Sequence, residues 1–290
     1  MGGMPDHSLE QLQDAIMQAS SSALRSSFKS ESEMLRHVYF SVYSARRNLR
    51  NIPVSFLDGD FVNWVASGVS VYRATSLKSA ACVAGGNFAG GQRSFTCRSR
   101  ANETCGPDNA QTLAFSLTQS PGFMSAAKGG LASVPVAERV KVYFAISPSA
   151  APTVLTGLVD VIDSIAEDYA VKVLAHPRMY FRSDAAVLYA RLSELDEIID
   201  ALSDDFLAKL RLREVEPLAS KRIRPGIAWA QDHLDPESGR EMSFGQWVSG
   251  VVAASSGEDA DNSNATALED MILSAGRDPL HPYRLLQACG

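Results

Sequence analysis

Apolar residues near the N-terminus of the chain recur at helical spacing. Leu12 and Ile16 lie four residues apart, and a second run with the same period covers residues 34–45. Such spacing places apolar side chains on one face of a helix. We therefore predict helices within residues 8–50 and treat residues 1–53 as an N-terminal helical region.

Farther along the chain, apolar and polar residues alternate in short segments. Val140, Val142 and Phe144 alternate with Lys141 and Tyr143, which is typical of a half-buried strand. The same criteria predict strands at 69–72, 113–117, 169–175, 185–192 and 218–229, and helices at 153–168, 194–211, 243–255 and 266–275. We therefore predict an α+β fold with a mostly antiparallel central sheet and with N-terminal and flanking helices.

We treat residues 54–290 as one α+β domain. Its residues 84–111 are rich in Gly, Ser and Asn, and we expect them to form a mobile insertion. The tail after residue 275 is expected to be irregular. The four cysteines include no Cys-x-x-Cys pair, so their spacing indicates neither a zinc site nor a disulfide framework.

Composition narrows the classes of function. Of the 290 residues, 46% are hydrophobic and 21% are charged, which is typical of a globular protein. The formal net charge of −6 argues against binding to nucleic acid or to a membrane surface, because proteins with those functions are usually basic. The N-terminus lacks the pattern of a signal peptide, and we expect a cytoplasmic protein.

Basic residues are nevertheless concentrated in two strand regions. Residues 169–191 contain four basic residues and one acidic residue, and residues 217–226 contain three basic residues and no acidic one. The segment between them contains eight acidic and three basic residues. Because the side chains of a strand alternate between its faces, the basic residues can meet on one face of the sheet. We predict an anion site there, with few acidic residues and with phosphate as the anion.

The candidate residues of this site come in pairs that share a face of their strand. The pairs are Lys141 and Tyr143, Lys172 and His176, Tyr189 and Arg191, and Arg222 and Arg224. Arg182 lies between two of these strands, and Arg73 follows an apolar segment that is predicted to be a strand. No cluster of carboxylates or histidines in the sequence indicates a metal site.

Sequence motifs of common phosphate chemistry are missing. The chain contains no P-loop, no protein-kinase signature, no nucleophile elbow and no HExxH motif. A metal-free set of Lys, Arg and Tyr residues suits β-elimination of phosphate from phosphoserine or phosphothreonine. In that reaction a neutral lysine removes the α-proton, arginines hold the phosphate, and a Tyr, His or Lys residue protonates the leaving group.

Several stretches of the chain resemble the HopA-like effector family. They are YAVKVLAHPRMYFRSDAAVLYARL at 169–192, PLASKRIRPGIAWAQD at 217–232, SFGQWVSGVVAAS at 243–255, and SPGF at 120–123 before the VYF strand at 142–144. The family takes its name from a bacterial type III secreted effector. Its members recur as lyase subunits in the biosynthesis of class V lanthipeptides and thioamitides.

This resemblance implies a function. In those pathways a separate aminoglycoside-kinase-like subunit phosphorylates Ser or Thr of a ribosomal precursor peptide. The HopA-like subunit then eliminates the phosphate to give dehydroalanine or dehydrobutyrine. The resemblance implies that this chain is such a lyase, with a phosphorylated precursor peptide as substrate and a kinase as partner. We expect no cofactor and no metal.

A more distant likeness to the phosphothreonine lyases that some pathogens inject implies individual roles. Lys172 matches the base of those enzymes, and Arg182 and Tyr189 match their Arg-plus-Tyr phosphate pair. Further phosphate ligands are expected among Arg222, Arg224, Arg191 and Arg73.

The same likeness leaves the general acid open. Those lyases carry a Lys-x-His motif, and Lys141-Val142-Tyr143 stands at its position with Tyr in place of His. Tyr143, Lys141 or His176 remains to protonate the leaving phosphate. Alternatively, arginines that clamp the phosphate make that proton unnecessary.

Two other functions are compatible with the same residues. A non-catalytic effector or scaffold would use the basic face to bind a phosphopeptide or a kinase, and a different enzyme, such as a phosphotransferase, would use the same anion pocket. The aromatic and apolar residues at 38–43 bear on partners. They pack against the protein's own sheet, which we favour, or they dock a kinase or a leader peptide.

Overall fold

The computed structural model describes residues 7–19, 30–43, 57–76, 80–82, 92–95, 97–99, 113–116, 122–235, 238–255 and 265–286. Most of the expected insertion at 84–111 lies outside these residues, so its predicted mobility stays a prediction.

The described helices, in chain order, are α1 (Ser8–Ala19), α2 (Glu31–His37), α3 (Gly59–Ser76), α4 (Ala151–Ile162), α5 (Leu195–Ala201), α6 (Asp204–Lys209), α7 (Phe244–Ser255) and α8 (Ala265–Ser274). Helix α2 continues directly into a π-helix at Val38–Tyr43. Short 3-10 helices lie at Leu131–Ser133, Val136–Glu138, Pro148–Ala150, Pro177–Met179 and Leu192–Glu194.

The described strands are β1 (Ala80–Cys82), β2 (Gln92–Phe95), β3 (Cys97–Ser99), β4 (Leu113–Ser116), β5 (Phe123–Lys128), β6 (Arg139–Phe144), β7 (Tyr169–Leu174), β8 (Ala186–Arg191), β9 (Lys221–Arg224), β10 (Ile227–Ala230), β11 (His233–Leu234), β12 (Glu241–Met242), β13 (Arg277–Asp278) and β14 (His281–Leu285).

The centre of the molecule is one antiparallel sheet in the strand order β2-β4-β5-β7-β8-β6-β10-β9. The predicted α+β class, with a mostly antiparallel sheet and with N-terminal and flanking helices, is confirmed. Strands β7 and β8 are adjacent, as are β8 and β6. The strand segments in which the sequence concentrates charge are therefore neighbours at the middle of the sheet.

One face of the sheet packs against α4. Val142 and Leu188 contribute to this core from the sheet, and Leu155 and Leu158 contribute to it from the helix, all four with almost no exposed surface. At roughly 1.5–3 kcal/mol for each large buried apolar side chain, such a layer is the main source of the free energy of folding. This face is apolar and packed against a helix, so we do not expect a substrate to bind there.

The opposite face is covered by the N-terminal helices and α7. Leu12 of α1 and Val38 and Tyr43 of the π-helix are buried against Val187 of β8 and Phe244 of α7. The apolar residues at 38–43 thus pack within this chain, as favoured above. Because this cover lies over the charged face of the sheet, the polar side chains beneath it must form bonds with one another.

Helix α3 corrects one prediction. Residues 69–72 were predicted to be a strand, but they lie inside α3. Val-Ser-Val-Tyr alternates over four residues, and so short a window does not separate a strand from a helix. The buried residues Phe61, Val62 and Val65 of the same element show the helical period that the wider window contains.

Three further elements also differ from the prediction. The single helix expected at 194–211 is divided into α5 and α6, because a new helix begins after Ser203, whose Oγ accepts the N–H of Phe206 at 3.2 Å. The expected irregular tail contains the β13–β14 hairpin. The single strand expected at 218–229 is divided into β9 and β10, which form a hairpin that turns at Pro225-Gly226. Gly226 takes the positive φ of 78° that the turn requires.

Candidate functional site

Strand register brings candidate side chains together on the covered face of the sheet, among them two lysines and Tyr189. Lys172 of β7 pairs with Val187 of β8, and Tyr189, two residues farther along β8, pairs with Lys141 of β6. Residues that pair across antiparallel strands, and residues two apart on one strand, point to the same side. The two lysines and the tyrosine therefore share one face, as the alternation predicted.

Aromatic rings separate the positive charges of this row. The Nζ atom of Lys172 lies 4.5 Å from the centre of the Tyr189 ring and 4.9 Å from the centre of the Phe123 ring. The Nζ atom of Lys141 lies 4.9 Å from the same Tyr189 ring. A cation above an aromatic face is attracted by the electrons of the ring. Tyr189 is thus held between two ammonium groups.

Tyr189 and Lys172 are the half-buried members of the row. The ammonium group of Lys172 donates a hydrogen bond to the Tyr189 hydroxyl. Burial raises the pKa of Tyr189, and the charge of Lys172 and this bond partly offset the rise. Tyr189 is therefore a neutral phenol, able to donate a hydrogen bond to a ligand above the row.

Arg182 continues the row beyond Phe123, whose ring centre lies 5.5 Å from the Arg182 Cζ atom. The guanidinium of Arg182 is bound by Asp184 in a fork, with Nε 2.8 Å from Oδ1 and Nη2 2.6 Å from Oδ2. Both residues are almost fully buried. Although burial disfavours the charged guanidinium, Asp184 outweighs that effect and raises the pKa of Arg182.

Tyr39 of the π-helix completes this ion pair. Its hydroxyl donates to Asp184 Oδ2 at 3.2 Å and accepts from Arg182 Nη2 at 3.1 Å. Burial and then the Asp184 charge raise the pKa of Tyr39, which keeps its proton for this bond. Sequence reasoning missed Tyr39 because it lies more than 140 residues from its partners. The Arg182-x-Asp184 spacing is the only local signal of the pair.

Lys141 forms a second buried ion pair, with Asp232. The other carboxylate oxygen of Asp232, Oδ1, accepts the N–H of Phe244 at 2.9 Å, and Phe244 is the first residue of α7. Asp232 thus joins the charged face of the sheet to the helix that covers it. It also complements the positive end of that helix.

The structure corrects the prediction that this pocket contains few acidic residues. Asp184 and Asp232 are buried within it, each against one of the predicted basic residues. A buried cation without a partner is very costly, so the cover that encloses this face requires such counter-charges.

Tyr143 and His176, two of the candidate general acids, have other contacts. Tyr143 is buried and accepts a hydrogen bond from the Tyr43 hydroxyl, and burial raises its pKa well above the ordinary value. The Nδ1 atom of His176 accepts the N–H of Arg178 at 3.1 Å and so caps a 3-10 turn. Tyr143 shares the covered face with Lys172, since both residues pair with Val187, but neither of these two contacts is with Lys172.

The remaining predicted phosphate ligands are not brought together with Lys172 by any described contact. Their partners are carboxylates elsewhere: Arg191 binds Asp168 at 2.6 Å, Arg224 binds Asp204 at 2.7 Å and Arg222 binds Glu216 at 3.2 Å. Arg73 does not follow a strand but lies within α3. The structure therefore unites Lys141, Lys172, Arg182 and Tyr189, whereas Arg191, Arg222 and Arg224 bind carboxylates elsewhere.

Over the described ranges there is no group of three or more His, Cys, Asp or Glu side chains placed to hold a metal ion. No helix in those ranges has the length and apolar character that crossing a bilayer requires.

Comparison with known proteins identifies the family. Residues 116–284 match the HopA1 effector protein family, a match that includes the whole charged row. The chain belongs to this family. Among curated proteins, the sequence has no detectable relative.

Two solved structures share the fold of this family member. The effector protein from Pseudomonas syringae pv. syringae strain 61 superposes with a TM-score of 0.53 at 12% identity, covering 96% of this chain and 98% of that chain. The effector protein from Pseudomonas syringae pv. tomato strain DC3000 gives 0.56 at 13% identity, covering 97% and 98%. These likenesses cover both the sheet and its helical cover, and at such identities they concern the fold.

Proposed function

We propose that this family member is a lyase that eliminates phosphate from phosphoserine or phosphothreonine in a ribosomal precursor peptide. One observation carries the proposal. Lys172 lies half-buried between two aromatic rings, with Tyr189 bonded to it and with Arg182 and Lys141 on either side. Amine, phenol and guanidinium in one small area are the groups that a metal-free elimination uses.

Every proton and electron pair of the proposed reaction is accounted for. The neutral amine of Lys172 takes the proton from Cα of the phosphorylated residue. The electron pair of that C–H bond becomes the Cα=Cβ double bond, and the Cβ–O bond breaks with its electrons on phosphate. The products are dehydroalanine or dehydrobutyrine, inorganic phosphate and a protonated lysine, which returns its proton to water.

Three groups are placed to hold the phosphate. Tyr189 presents a neutral hydroxyl, and Lys141 keeps two N–H bonds after one is given to Asp232. The fork to Asp184 uses Nε and Nη2 of Arg182, so Nη1 remains for a ligand. Lys141 also remains as the general acid, because an ammonium beside the leaving oxygen can pass on a proton. We infer that a separate aminoglycoside-kinase-like subunit supplies the phosphorylated peptide.

A non-catalytic phosphopeptide- or kinase-binding effector is the second candidate. The two buried aspartates support this second function. Asp184 and Asp232 hold Arg182 and Lys141 in fixed positions, which suit the binding of a phosphate group as well as its elimination. Both solved structures described above are those of effector proteins. A binder needs positive charge at position 172, whereas a lyase needs a base there.

The substitution Lys172→Arg separates the two functions. Arginine keeps the positive charge, but it stays protonated at any ordinary pH and cannot take a proton. We expect Lys172→Arg to bind a phosphothreonine peptide and to lower elimination about 10²–10⁴-fold, the usual contribution of a catalytic base. Lys209→Arg, on the exposed end of α6, is the matched control and should react like the wild type.

Mass spectrometry of the peptide and phosphorus NMR of released phosphate give the two readouts. The wild type should convert a phosphothreonine peptide, and then the kinase-treated precursor, to the dehydrated product without nucleotide. Full turnover by Lys172→Arg would refute the assigned base. Binding of the phosphorylated precursor by the wild type without any loss of phosphate would refute the lyase and leave the effector function.

A further inference from the structure

A cavity lies near the charged row, between α2, α7, α8 and the β11–β12 hairpin. Its volume is about 910 Å³, which is in the range of peptide and small-molecule sites. Tyr39 forms part of its wall, and the hydroxyl of the same residue contacts Arg182 and Asp184. Tyr39 therefore contacts both the cavity and the candidate site.

A buried hydrogen-bond donor lines this cavity. His233 is 3% exposed, and its Nδ1 atom lies 3.0 Å from Nη2 of the fully buried Arg277. A guanidinium only donates, so Nδ1 accepts and the proton of the ring is on Nε2. Burial and then the Arg277 charge lower the pKa of His233 to about 4, so the ring is neutral. Within the described part of the chain, Nε2–H has no acceptor.

The walls and rim of the cavity differ in character. Trp247, Met242 and Met271 give it an apolar floor. Exposed Arg36 and Arg240 stand at its rim. A ligand that fits must therefore be apolar at one end and negatively charged at the other.

Acidic residues at the rim do not cancel this positive charge. The charge of Glu241 is offset by Arg139, whose guanidinium contacts both of its carboxylate oxygens, at 2.9 and 3.3 Å. Asp235 is the other acidic residue of the lining. Because the charge of Glu241 is offset from outside the cavity, the two rim arginines keep positive charge at its mouth.

We propose that this cavity binds a segment of the peptide substrate, a few residues from the phosphorylated one, that carries a large apolar side chain next to a carboxylate. The apolar side chain packs on Trp247, an acceptor of the segment bonds to His233, and the carboxylate meets the rim arginines. This inference rests on the proposed function, because it assigns the cavity to the same peptide. It makes substrate choice depend on sequence around the phosphorylated residue.

Fluorescence anisotropy with labelled phosphothreonine peptides tests the proposal. A Leu-Glu pair is placed at successive positions on either side of the phosphothreonine, and the reference peptides carry Ala-Ala or Leu-Lys there. The Lys172→Arg protein is used so that the peptides are not consumed. We expect at least one Leu-Glu position to bind about tenfold tighter than both reference peptides.

Substitutions in the cavity test whether the Leu-Glu preference arises there. Ala254→Trp places a large side chain in the cavity from an exposed position of α7 and should abolish the Leu-Glu preference. Ala208→Trp, on the exposed side of α6, is the matched control and should retain it. Combined Arg36→Glu and Arg240→Glu substitutions should invert the preference between Leu-Glu and Leu-Lys.

The outcomes separate this inference from the proposed function. A Leu-Glu preference that persists in Ala254→Trp, or no preference at any position, would overturn the inference even if the wild type eliminates phosphate from every peptide. The inference would be supported, even if no elimination occurs, by a Leu-Glu preference that is also seen with unphosphorylated peptides and that Ala254→Trp abolishes.

Discussion

The contact between α7 and the π-helix offers a direct test of the cover over the charged face. Gly245 is buried in the first turn of α7, against the rings of Tyr43 and Tyr39. A Cβ atom at position 245 would lie 2.5 Å from Tyr43 Cε1 and 2.9 Å from Tyr39 Cε2. Real Cβ contacts do not come this close, so Gly245→Ala must push the helix and the rings apart.

Gly250 provides the matched control in the same helix. A Cβ atom at position 250 would meet nothing within 4 Å. Alanine is about 1 kcal/mol more favourable than glycine inside a helix. Gly250→Ala should therefore stabilise the protein by about that amount.

The cost at position 245 can be estimated from the same geometry. Overpacking a well-filled core costs roughly 1–3 kcal/mol, and two buried rings that cannot turn aside place this site at the upper end. After subtraction of the helix-propensity gain, Gly245→Ala should lower the free energy of unfolding by about 2 kcal/mol. The two variants should thus differ by about 3 kcal/mol, which is more than a hundredfold in the unfolding equilibrium.

Urea unfolding followed by circular dichroism measures both values. Both variants should keep the wild-type slope with urea, because the surface exposed on unfolding is unchanged. Gly245→Ala should also weaken phosphopeptide binding, because displacement of Tyr39 disturbs its bonds to Arg182 and Asp184. If Gly245→Ala were as stable as Gly250→Ala, the packing of α7 on the two tyrosines would be refuted.

Two further predictions concern the buried polar groups. Asp232→Ala leaves Lys141 buried without its counter-charge and should lower the free energy of unfolding in urea by about 3–5 kcal/mol. The double variant with Lys141→Met should recover much of that loss. Equal stability of the single variant and the wild type would contradict the ion pair. His233 has a folded pKa of about 4 against 6.5 when unfolded, so its contribution is complete above pH 6.5 and is lost as the pH falls towards 4. Wild-type stability should fall by on the order of 3 kcal/mol over that window, and His233→Gln, which keeps an acceptor for Arg277 but does not titrate, should show a flatter profile.

The parts of the fold that the sequence predicts well are those with a long, regular period. Strand β6 alternates over its whole length, and the helical period of α4 is sustained for three turns. The predictions for helix α3 and for the β13–β14 hairpin were wrong for the opposite reason. A four-residue alternation and a short tail contain too few positions to distinguish one period from another.

For the candidate site, too, the sequence predicts some residues and not others. Lys141, Lys172 and Tyr189 were placed on one face because the alternation of side chains along a strand follows from local geometry. Their distant partners were not predicted, because no local pattern reveals that Tyr39 reaches Asp184 across the chain. Long-range contacts of that kind follow from the order of the strands and from the helices that cover them.

The two buried aspartates bear on how such a site would treat a phosphate group. Asp184 fixes the plane of the Arg182 guanidinium, and Asp232 takes one of the three N–H bonds of Lys141. Each cation therefore keeps a donor for a ligand while its direction is set by its carboxylate. Because Asp184 and Asp232 offset the charges of Arg182 and Lys141, the row would hold a phosphate through directed hydrogen bonds and without the strong field of unpaired cations. Moderate attraction suits a lyase, because phosphate must leave after each turnover and tight product binding would slow the cycle.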